Sequence, residues 1–366
     1  MQIKILLQLL DNLAPSVYQE SYDNAGLITG NAKWECSGAL CTLDATEAVI
    51  DEAIQNGCNL IVAHHPIIFG GLKKITGKNY VERTVIKAIK NDIAIYAIHT
   101  NLDNLLSGVN KMMADKLGLV NRKVLLHKQN TLMKLMVFVP ESHAEQVRNA
   151  LFDAGGGHIG NYSECSYSAK GTGTFKPGEG TDPFLGEQGK RELVNEEKVE
   201  VIFPAYLRET LVNAMKAAHP YEEVAHDLIA LENNFNEVGS GLIGELETEM
   251  DETDFLDFIK KQFKLEVIRH TPLLTKKVKK VALCGGAGSF LIKNALTAGA
   301  DFYITGDVKY HEFFDAENRM VIADIGHFES EQFTINLLYD ILHSKFPTFA
   351  VLKSEVRTNP VHYFIS

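Results

Sequence analysis

The chain is organised around one stretch, Ile61-Val62-Ala63-His64-His65-Pro66-Ile67-Ile68-Phe69. The aliphatic residues from Asn59 to Ala63 lie between two breakers, a glycine and a proline, and predict a short buried strand. Imidazole is the commonest metal ligand in proteins. Neighbouring side chains of a regular strand point to opposite faces, but a proline cannot continue the ladder. We therefore expect His64 and His65 to converge where the chain leaves the sheet, although a purely structural pair also fits the motif.

Strands and helices alternate on both sides of this stretch. The pattern predicts two further strands and two helices, at residues 38–44, 93–98, 46–56 and 80–91. Such alternation indicates an α/β fold with a mostly parallel sheet and helices on both faces. Open sheets of this kind bind ligands at the carboxyl ends of their strands. Asp44, His64 and Asp103 are therefore expected at one edge of the sheet.

The pattern changes between residues 131 and 232. There the order is strand, helix, strand, strand, helix, strand, which predicts an inserted ferredoxin-like α+β domain. We predict a discontinuous metal-binding domain of residues 1–130 and 233–366, interrupted by this insert at 131–232.

Two glycine-rich segments are candidates for phosphate-binding loops. The segment Gly171–Pro177 does not open a helix, so a mobile loop of the insert fits the surrounding Lys170–Gly189 stretch better. The segment Cys284–Ser289 lies between a predicted strand and a predicted helix, which is the context of an anion site at a helix N-terminus. Its spacing departs from G-x-G-x-x-G, and a tight turn without a ligand fits nearly as well.

Composition narrows the class of protein. The chain has 366 residues, of which 45% are hydrophobic and 23% charged, as in an ordinary globular protein. A net charge of −11 disfavours a broad electrostatic role in nucleic-acid binding. The five cysteines form no Cys-x-x-Cys pair, which argues against a disulfide framework and a thiolate zinc site. The first residues fit an amphipathic helix better than a signal peptide, and no stretch has the length of a membrane span. We predict a cytoplasmic protein without a membrane partner.

A helical pair completes a candidate metal site. His327 and Glu331 are four residues apart after Gly326, a spacing that places both side chains on one face of a helix. Together with His64, His65 and Asp103 they make five potential ligands. Three nitrogen and two oxygen donors are too many for one tetrahedral zinc, but suit two ions about 3.5–4 Å apart. Without thiolate ligands, zinc, manganese and iron(II) all remain open.

In combination these motifs resemble a known family. They comprise Tyr22-Asp23-Asn24-Ala25-Gly26-Leu27, Ala63-His64-His65-Pro66, His99-Thr100-Asn101-Leu102-Asp103, Thr305-Gly306-Asp307 with His311, and Gly326-His327 with Glu331. They are similar in kind and order to the Nif three-like family, whose members are often labelled GTP cyclohydrolase 1 type 2 homologues. The insert resembles the PII-like or CutA-like domain of longer bacterial members.

The resemblance implies a metal site and an oligomeric assembly. It implies a dinuclear centre on His64, His65, Asp103, His327 and Glu331, without a departure at any of these positions. It also implies a toroidal homohexamer. His99 and His311 are candidates for proton transfer, or for hydrogen bonds that orient a ligand, and Asp44 and Asp307 are plausible orienting carboxylates.

Two functions of different classes follow. The first is a metal-dependent hydrolase of a small nucleotide-like or phosphorylated substrate, with GTP ring opening suggested by the family label. The second is a metal-binding regulatory or metal-delivery protein whose insert senses a small molecule.

Overall fold

The computed structural model describes residues 1–364 of the chain. These form two compact units, of which the first comprises residues 1–127 and the chain from Glu237 onward. The second unit is Lys128–Asn236, and the predicted insert lies within it. Within residues 1–364 no helix is both long and apolar enough to cross a bilayer.

The first part of the first unit alternates strands with helices. The strands are β1 (Gly26–Thr29), β2 (Ala39–Asp44), β3 (Leu60–His65), β4 (Ala94–Ala97) and β5 (Val120–His127). The helices are α1 (Ile3–Leu13), α2 (Glu47–Gln55), α3 (Tyr80–Lys90), α4 (Thr100–Asp103) and α5 (Val109–Lys116). Polar caps fix two of the helix starts, because Thr46 Oγ1 accepts from the Val49 N–H and Asn79 Oδ1 from the Glu82 N–H.

The second unit has four strands and two α-helices in the order β-α-β-β-α-β. They are β6 (Leu132–Pro140), α6 (Ala144–Asp153), β7 (Tyr167–Phe175), β8 (Glu192–Pro204), α7 (Arg208–Ala218) and β9 (His226–Leu231). Its sheet has the strand order β7-β8-β6-β9, and every neighbouring pair is antiparallel. The buried side chains of β6 and β8 pack against α6 and α7 on one face of this sheet.

The first unit is completed by the chain after the insert. Its strands are β10 (Gly239–Asp251), β11 (Arg269–His270), β12 (Lys277–Ala287), β13 (Phe302–Gly306), β14 (Val321–Asp324) and β15 (Val351–Lys353). Its helices are α8 (Glu252–Phe263), α9 (Ile292–Thr297), α10 (His327–Glu331) and α11 (Thr334–Lys345). A 3-10 helix at Tyr310–Ala316 joins β13 to β14.

The α/β class is confirmed, but the first unit contains two mixed sheets. One sheet has the order β1-β4-β3-β2-β15, with only β1 antiparallel to its neighbour. The other has the order β11-β14-β13-β12-β10-β5, in which β12, β13 and β14 are parallel. In the second sheet β10 pairs antiparallel with both β12 and β5, and β5 is the edge strand on that side. Of the described strands after the insert, β15 joins the first sheet beside β2, whereas β10 to β14 form the second sheet together with β5.

The glycines of the insert are the clearest local difference from the expectation. Residues 171–175 belong to β7 and not to a loop. They pair without interruption with β8, from Gly171 opposite Glu196 to Phe175 opposite Glu192. The reason is that β8 is thirteen residues long and supplies a continuous antiparallel partner. The loop begins only after Phe175.

Candidate metal centre

The two sheets of the first unit bring their strand ends together at a cluster of imidazoles and carboxylates. His64 and His65 are the last residues of β3, whereas β4 stops at Ala97, the partner of Ala63. Both histidines therefore project beyond the last rung that β3 shares with β4. Their rings converge, with centroids 4.8 Å apart and planes inclined by 45°.

His64 is fully buried and has one ring nitrogen fixed by the backbone. Its Nδ1 lies 2.8 Å from the Ile98 carbonyl oxygen, which can only accept, so Nδ1 carries the proton and Nε2 offers a lone pair. That Nε2 lies 3.5 Å from Asp103 Oδ1 and 3.9 Å from Glu331 Oε1. Within residues 1–364 neither His64 Nε2 nor Asp103 Oδ1 has a hydrogen-bond partner. Two buried acceptors that face one another without a donor are the expected signature of a cation site.

His65 and His327 are each held by a carboxylate. The Nδ1 of His65 lies 2.8 Å from Asp44 Oδ1, and the Nδ1 of His327 lies 2.7 Å from Asp307 Oδ2. Their Nε2 atoms face each other at 3.4 Å. A carboxylate behind an imidazole fixes the tautomer and raises the basicity of the outer nitrogen, as around metal-binding histidines.

Glu331 is the shared centre of the cluster. Its Oε2 lies 3.0 Å from His65 Nε2 and 3.1 Å from His327 Nε2, and its side chain is only 3% exposed. The four-residue spacing on α10 accounts for its contact with His327. Glu331 thus connects a helix after the second sheet to a strand of the first.

Glycines allow this close approach. A Cβ on Gly286, which has φ +63°, would lie 2.5 Å from Glu331 Oε1. A Cβ on Gly306 would lie 2.8 Å from the backbone nitrogen of His327. Only glycine at both positions lets α10 sit against β12 and β13.

His99 adds a fourth imidazole. Its Nδ1 lies 2.8 Å from Asp23 Oδ1, and the other oxygen of that carboxylate accepts from the Thr100 hydroxyl and N–H. A ring nitrogen of His99 groups with those of His64 and His65, all within 4.8 Å of one another. Two further groups of this kind, His65 with His327 and Glu331, and His64 with Asp103 and Glu331, could also hold a metal ion.

The cluster attracts positive charge. Burial opposes charge on the imidazoles, yet hydrogen bonds to Asp44 and Glu331 raise the pKa of His65 to about 9. The same competition, won by its two carboxylate partners, raises the pKa of His327 to about 11. Burial raises the pKa of Asp103 to about 7, and the neighbouring Glu331 carboxylate contributes to the increase. Bound protons or metal cations can neutralise the negative charge of these carboxylates.

The cluster opens into a cavity of about 680 Å³ whose described lining is strongly acidic. Its carboxylates are Glu20, Asp44, Asp103, Asp307, Asp324, Glu329 and Glu331. Arg269 is the one lysine or arginine among the described lining residues, and it is paired with Asp324 at 3.0 Å. The apolar rim includes Phe69, Phe290 and Val267.

Comparison with known proteins places the chain in a family. The family model of Duf34/NIF3, described as NGG1p interacting factor 3, matches residues 1–360. The chain belongs to the Duf34/NIF3 family. A Halalkalibacterium halodurans member named GTP cyclohydrolase 1 type 2 homolog is 43% identical over 360 residues, 97% of each chain. A Bacillus subtilis protein of the same name is 40% identical over 97% of this chain and 96% of its own. The crystal structure of a Bacillus cereus protein related to NIF3 has a TM-score of 0.87 and 40% identity, and covers 100% of this chain and 99% of its own.

In this Duf34/NIF3 chain the five candidate ligands lie together, and so does His99. His311 lies elsewhere: it is exposed on the 3-10 helix, where its ring lies beside those of Tyr310 and Phe314. It is absent from the described lining of the acidic cavity. The role predicted for His311 in proton transfer stays a prediction.

The Cys284–Ser289 segment is not the tight turn that the sequence predicts, because its first four residues belong to β12, and its glycine N–H groups donate within the protein. The N–H groups of Gly285, Gly286 and Gly288 donate to Asn110 Oδ1, Ser330 Oγ and Thr305 Oγ1, respectively. These three donors are therefore already used within the fold. The hydrogen bond to Ser330 supports α10, which carries the candidate ligands His327 and Glu331.

Sequence reasoning missed the end of the chain as part of the cavity. Asn359, Pro360, Val361 and Tyr363 line it, and the Asn359 amide donates to Glu329 at 2.9 Å. The Thr358 hydroxyl donates to Asp44. Neither the spacing nor the hydrophobic pattern of this segment indicates such a role. Asp23 was visible as part of the Tyr22–Leu27 turn, but its partner His99 could not be read from the sequence.

Proposed function

We propose that this member of the Duf34/NIF3 family holds two divalent metal ions and uses them to hydrolyse a small nucleotide-like or phosphorylated substrate. The ligands are His64, His65, Asp103, His327 and Glu331. The observation that carries the proposal is the facing pair of buried acceptors, His64 Nε2 and Asp103 Oδ1, at 3.5 Å. Metal identity among zinc, manganese and iron stays open, since nitrogen and oxygen donors suit all three.

The donor set supports two positions that share Glu331. Its Oε1 faces His64 and Asp103, whereas its Oε2 faces His65 and His327. Each side therefore offers two donors besides the shared carboxylate. The acidic cavity compensates the charge of two divalent ions better than that of one.

The chain's own residues set up the chemistry. Bound divalent ions lower the pKa of a coordinated water and polarise a carbonyl or phosphoryl oxygen. Asp44 and Asp307 hold the rings of His65 and His327, so that their outer nitrogens stay directed at the centre. Because the acidic lining repels free anions, a phosphorylated substrate would be expected to bind only once the ions are in place.

His99 is the candidate for proton transfer. With Nδ1 tied to Asp23, the ring can accept a proton from water on its other nitrogen, and it lies beside His64 and His65. An alternative role is as a further imidazole ligand. Loss of activity in His99→Gln with full metal content would support proton transfer, whereas loss of metal would support ligation.

The substrate class rests on family membership. The curated relatives are named GTP cyclohydrolase 1 type 2 homolog, and this name suggests hydrolytic opening of the guanine ring. Steady-state assays with metal-loaded protein and GTP test this directly, with Asp103→Asn as the control. Product formation no faster than in the control would exclude GTP as the substrate.

The metal content is the first measurement. Mass spectrometry on protein purified without chelators should find about two ions per chain in the wild type and fewer in His65→Ala and His327→Ala. Those two variants test whether residues 262 positions apart in sequence, which touch in the fold, share one centre. An absence of metal even after reloading would contradict the proposal.

Metal exchange discriminates a hydrolase from a metal-delivery protein. His64 is fully buried and Glu331 is 3% exposed, which favours retention over release. A hydrolase should keep its ions in the presence of an acceptor apoprotein and still turn over. Rapid transfer to the acceptor without turnover would favour delivery.

Further features of the family resemblance complete the proposal. The β-α-β-β-α-β order of Lys128–Asn236 supports a ferredoxin-like, PII-like or CutA-like inserted domain. We also infer a toroidal homohexamer in the cytoplasm, supported by family membership. Light scattering that gives the mass of a monomer or dimer at working concentration would contradict the assembly.

A further inference from the structure

A second cavity lies on the insert, on the face of its sheet that α6 and α7 leave uncovered. It has a volume of about 650 Å³, and all its described lining residues belong to the second unit. The buried side chains of β8, such as Val199 and Val201, point to the helices. Glu196 and Lys198 alternate with them and therefore point to the opposite face. That face forms the floor of the cavity.

The floor is open because β7 has almost no side chains there. Ala169, Gly171 and Gly173 follow one another on this face, opposite Lys198, Glu196 and Val194 of β8. A Cβ on Gly171 would meet no atom within 4 Å. A Cβ on Gly173 would lie 2.0 Å from Glu196 Oε2, so the Glu196 carboxylate lies directly on the glycine backbone.

Aromatic rings form one wall. The rings of Phe175 and Tyr221 have centroids 5.6 Å apart at 61°, and those of Phe184 and Tyr221 lie 6.3 Å apart at 49°. The Tyr221 hydroxyl donates to Glu196 Oε1 at 3.3 Å. The loop that carries Phe184 is closed by a hydrogen bond from the Gly189 N–H to the Pro177 carbonyl. Because the rings are inclined, several of their faces can contact one bound cation. They do not form the pair of parallel rings between which a planar nucleobase would stack.

The lining has three lysines and three glutamates, but two of the lysines are paired with carboxylates outside the lining. Lys198 pairs with Glu200 at 2.5 Å, and Lys170 pairs with Glu141 at 3.3 Å. The carboxylates Glu196, Glu222 and Glu223 have no lysine or arginine partner among the described ion pairs, and they outnumber Lys176, the remaining lining lysine. Burial raises the pKa of Glu196, although the hydrogen bond from Tyr221 acts in the opposite direction.

We propose that this cavity binds a small organic cation with an amidinium, guanidinium or ammonium head on an apolar body. Glu196 is the counter-ion, and Phe175, Phe184 and Tyr221 supply the apolar and cation–π contacts. A planar amidinium can form two parallel hydrogen bonds with a carboxylate such as that of Glu196, which lies against Gly173 of β7. The inference does not depend on the metal centre, because no residue of the first unit takes part.

A matched set of probes tests the class of ligand. Benzamidine, benzamide and benzoate have nearly the same shape and differ in charge, and phenethylamine is a second cation. Titration calorimetry on the full-length, metal-loaded protein should give saturable binding of a cation with a Kd of about 1 mM or tighter, as expected for ligands of this size. Benzamide should bind at least about tenfold more weakly, and benzoate not at all.

Two variants locate the site and one serves as a control. Glu196→Gln should weaken binding of the cation about tenfold or more, since it removes the charge and keeps the shape. Gly171→Leu should abolish binding by filling the floor, where the added side chain meets open space. Glu209→Gln makes the same charge change on α7, where the side chain is 83% exposed, and should leave binding unchanged.

Three outcomes would overturn the proposal. The first is an absence of saturable binding of both cations. The second is equal binding of benzamidine, benzamide and benzoate, which would show a merely apolar groove. The third is binding that Glu196→Gln and Gly171→Leu both leave intact, which would place the ligand in the acidic cavity of the first unit.

Discussion

Thr358 and Asp44 are joined by a hydrogen bond that reaches the candidate metal centre from the far end of the chain. The Thr358 hydroxyl donates to Asp44 Oδ2, while Asp44 Oδ1 accepts from His65 Nδ1 at 2.8 Å. The position of one imidazole therefore depends on a residue nearly three hundred positions later.

Thr358→Val should weaken metal binding although Thr358 is not a ligand. The variant leaves Asp44 free to rotate, so His65 is less firmly oriented, and groups of this kind typically change metal affinity by about 10–100-fold. Calorimetric titration of the demetallated protein with zinc or manganese measures the effect. Thr358→Ser keeps the hydroxyl and should bind like the wild type. Equal affinities for the valine and serine variants would contradict a role for this hydrogen bond.

Gly286→Ala should displace Glu331 and reduce the metal content. The added Cβ would lie 2.5 Å from Glu331 Oε1, and the residue has φ +63°. Gly299→Ala is a matched control, because Gly299 has φ +72° and its nearest contact would be Lys280 Nζ at 3.9 Å. Both variants should lose about 1 kcal/mol of stability from backbone strain.

Metal content measured by mass spectrometry should separate the two glycine variants. Gly286→Ala should carry clearly less metal than Gly299→Ala at the same folded fraction. If both carry the wild-type amount, Glu331 is able to move without losing the ion.

Asp23→Asn should remove a stabilising interaction that depends on pH. Burial alone would raise the pKa of Asp23, but hydrogen bonds from His99 and Thr100 outweigh it and lower the pKa to about 2. A carboxylate with a lowered pKa stabilises the fold above its ordinary pKa of about 4 and loses that contribution as the pH falls towards 2. The variant should therefore be less stable than the wild type by about 1–3 kcal/mol near neutral pH.

Urea unfolding at a series of pH values tests this expectation. The difference between wild type and Asp23→Asn should be constant above about pH 5 and should shrink below about pH 4. Asp51→Asn removes a carboxylate that is 52% exposed and paired with Lys87, and should change stability by less than about 1 kcal/mol. A difference between wild type and Asp23→Asn that does not vary with pH would show that the carboxylate charge is unimportant.

Deletion of residues 128–236 should leave the metal centre intact. The strands on either side of the insert pair with each other, His127 opposite Gly239, so a short turn can join them. Every candidate ligand lies in the first unit. The shortened protein should carry the same metal per chain by mass spectrometry and lose binding of the organic cation. Loss of metal would show that the first unit needs the insert in order to fold.

The sequence predicted the parts of the site that depend on local pattern. The run before His64, the cap at Thr46 and the four-residue spacing of His327 and Glu331 are periodic features of single elements. The strand ends then follow from the alternation of strands and helices. For these residues the regular geometry of a helix or strand determines which side chains lie close together, so their spacing in the sequence is enough to predict it.

The remaining features depend on contacts that have no local signature. A separate second sheet arises because the strand β10 pairs with both β5 and β12, which no single segment encodes. The pairing of His99 with Asp23 and of Asp44 with Thr358 joins segments across the fold. The extension of β7 through Gly171 and Gly173 went against the low strand propensity of glycine and was decided by the partner strand.

The contact of His65 with Glu331 joins positions that lie 266 residues apart in sequence, one at the end of a strand of the first sheet and the other on α10, which follows the second sheet. Any ion held between them acts as a reversible cross-link, comparable to a disulfide that closes a very long loop. Its loss would remove a restraint between the two halves of the first unit as well as the reactive centre. The concentration of free metal would then set the resistance of the protein to unfolding and proteolysis, so that the ions would govern its lifetime together with its chemistry.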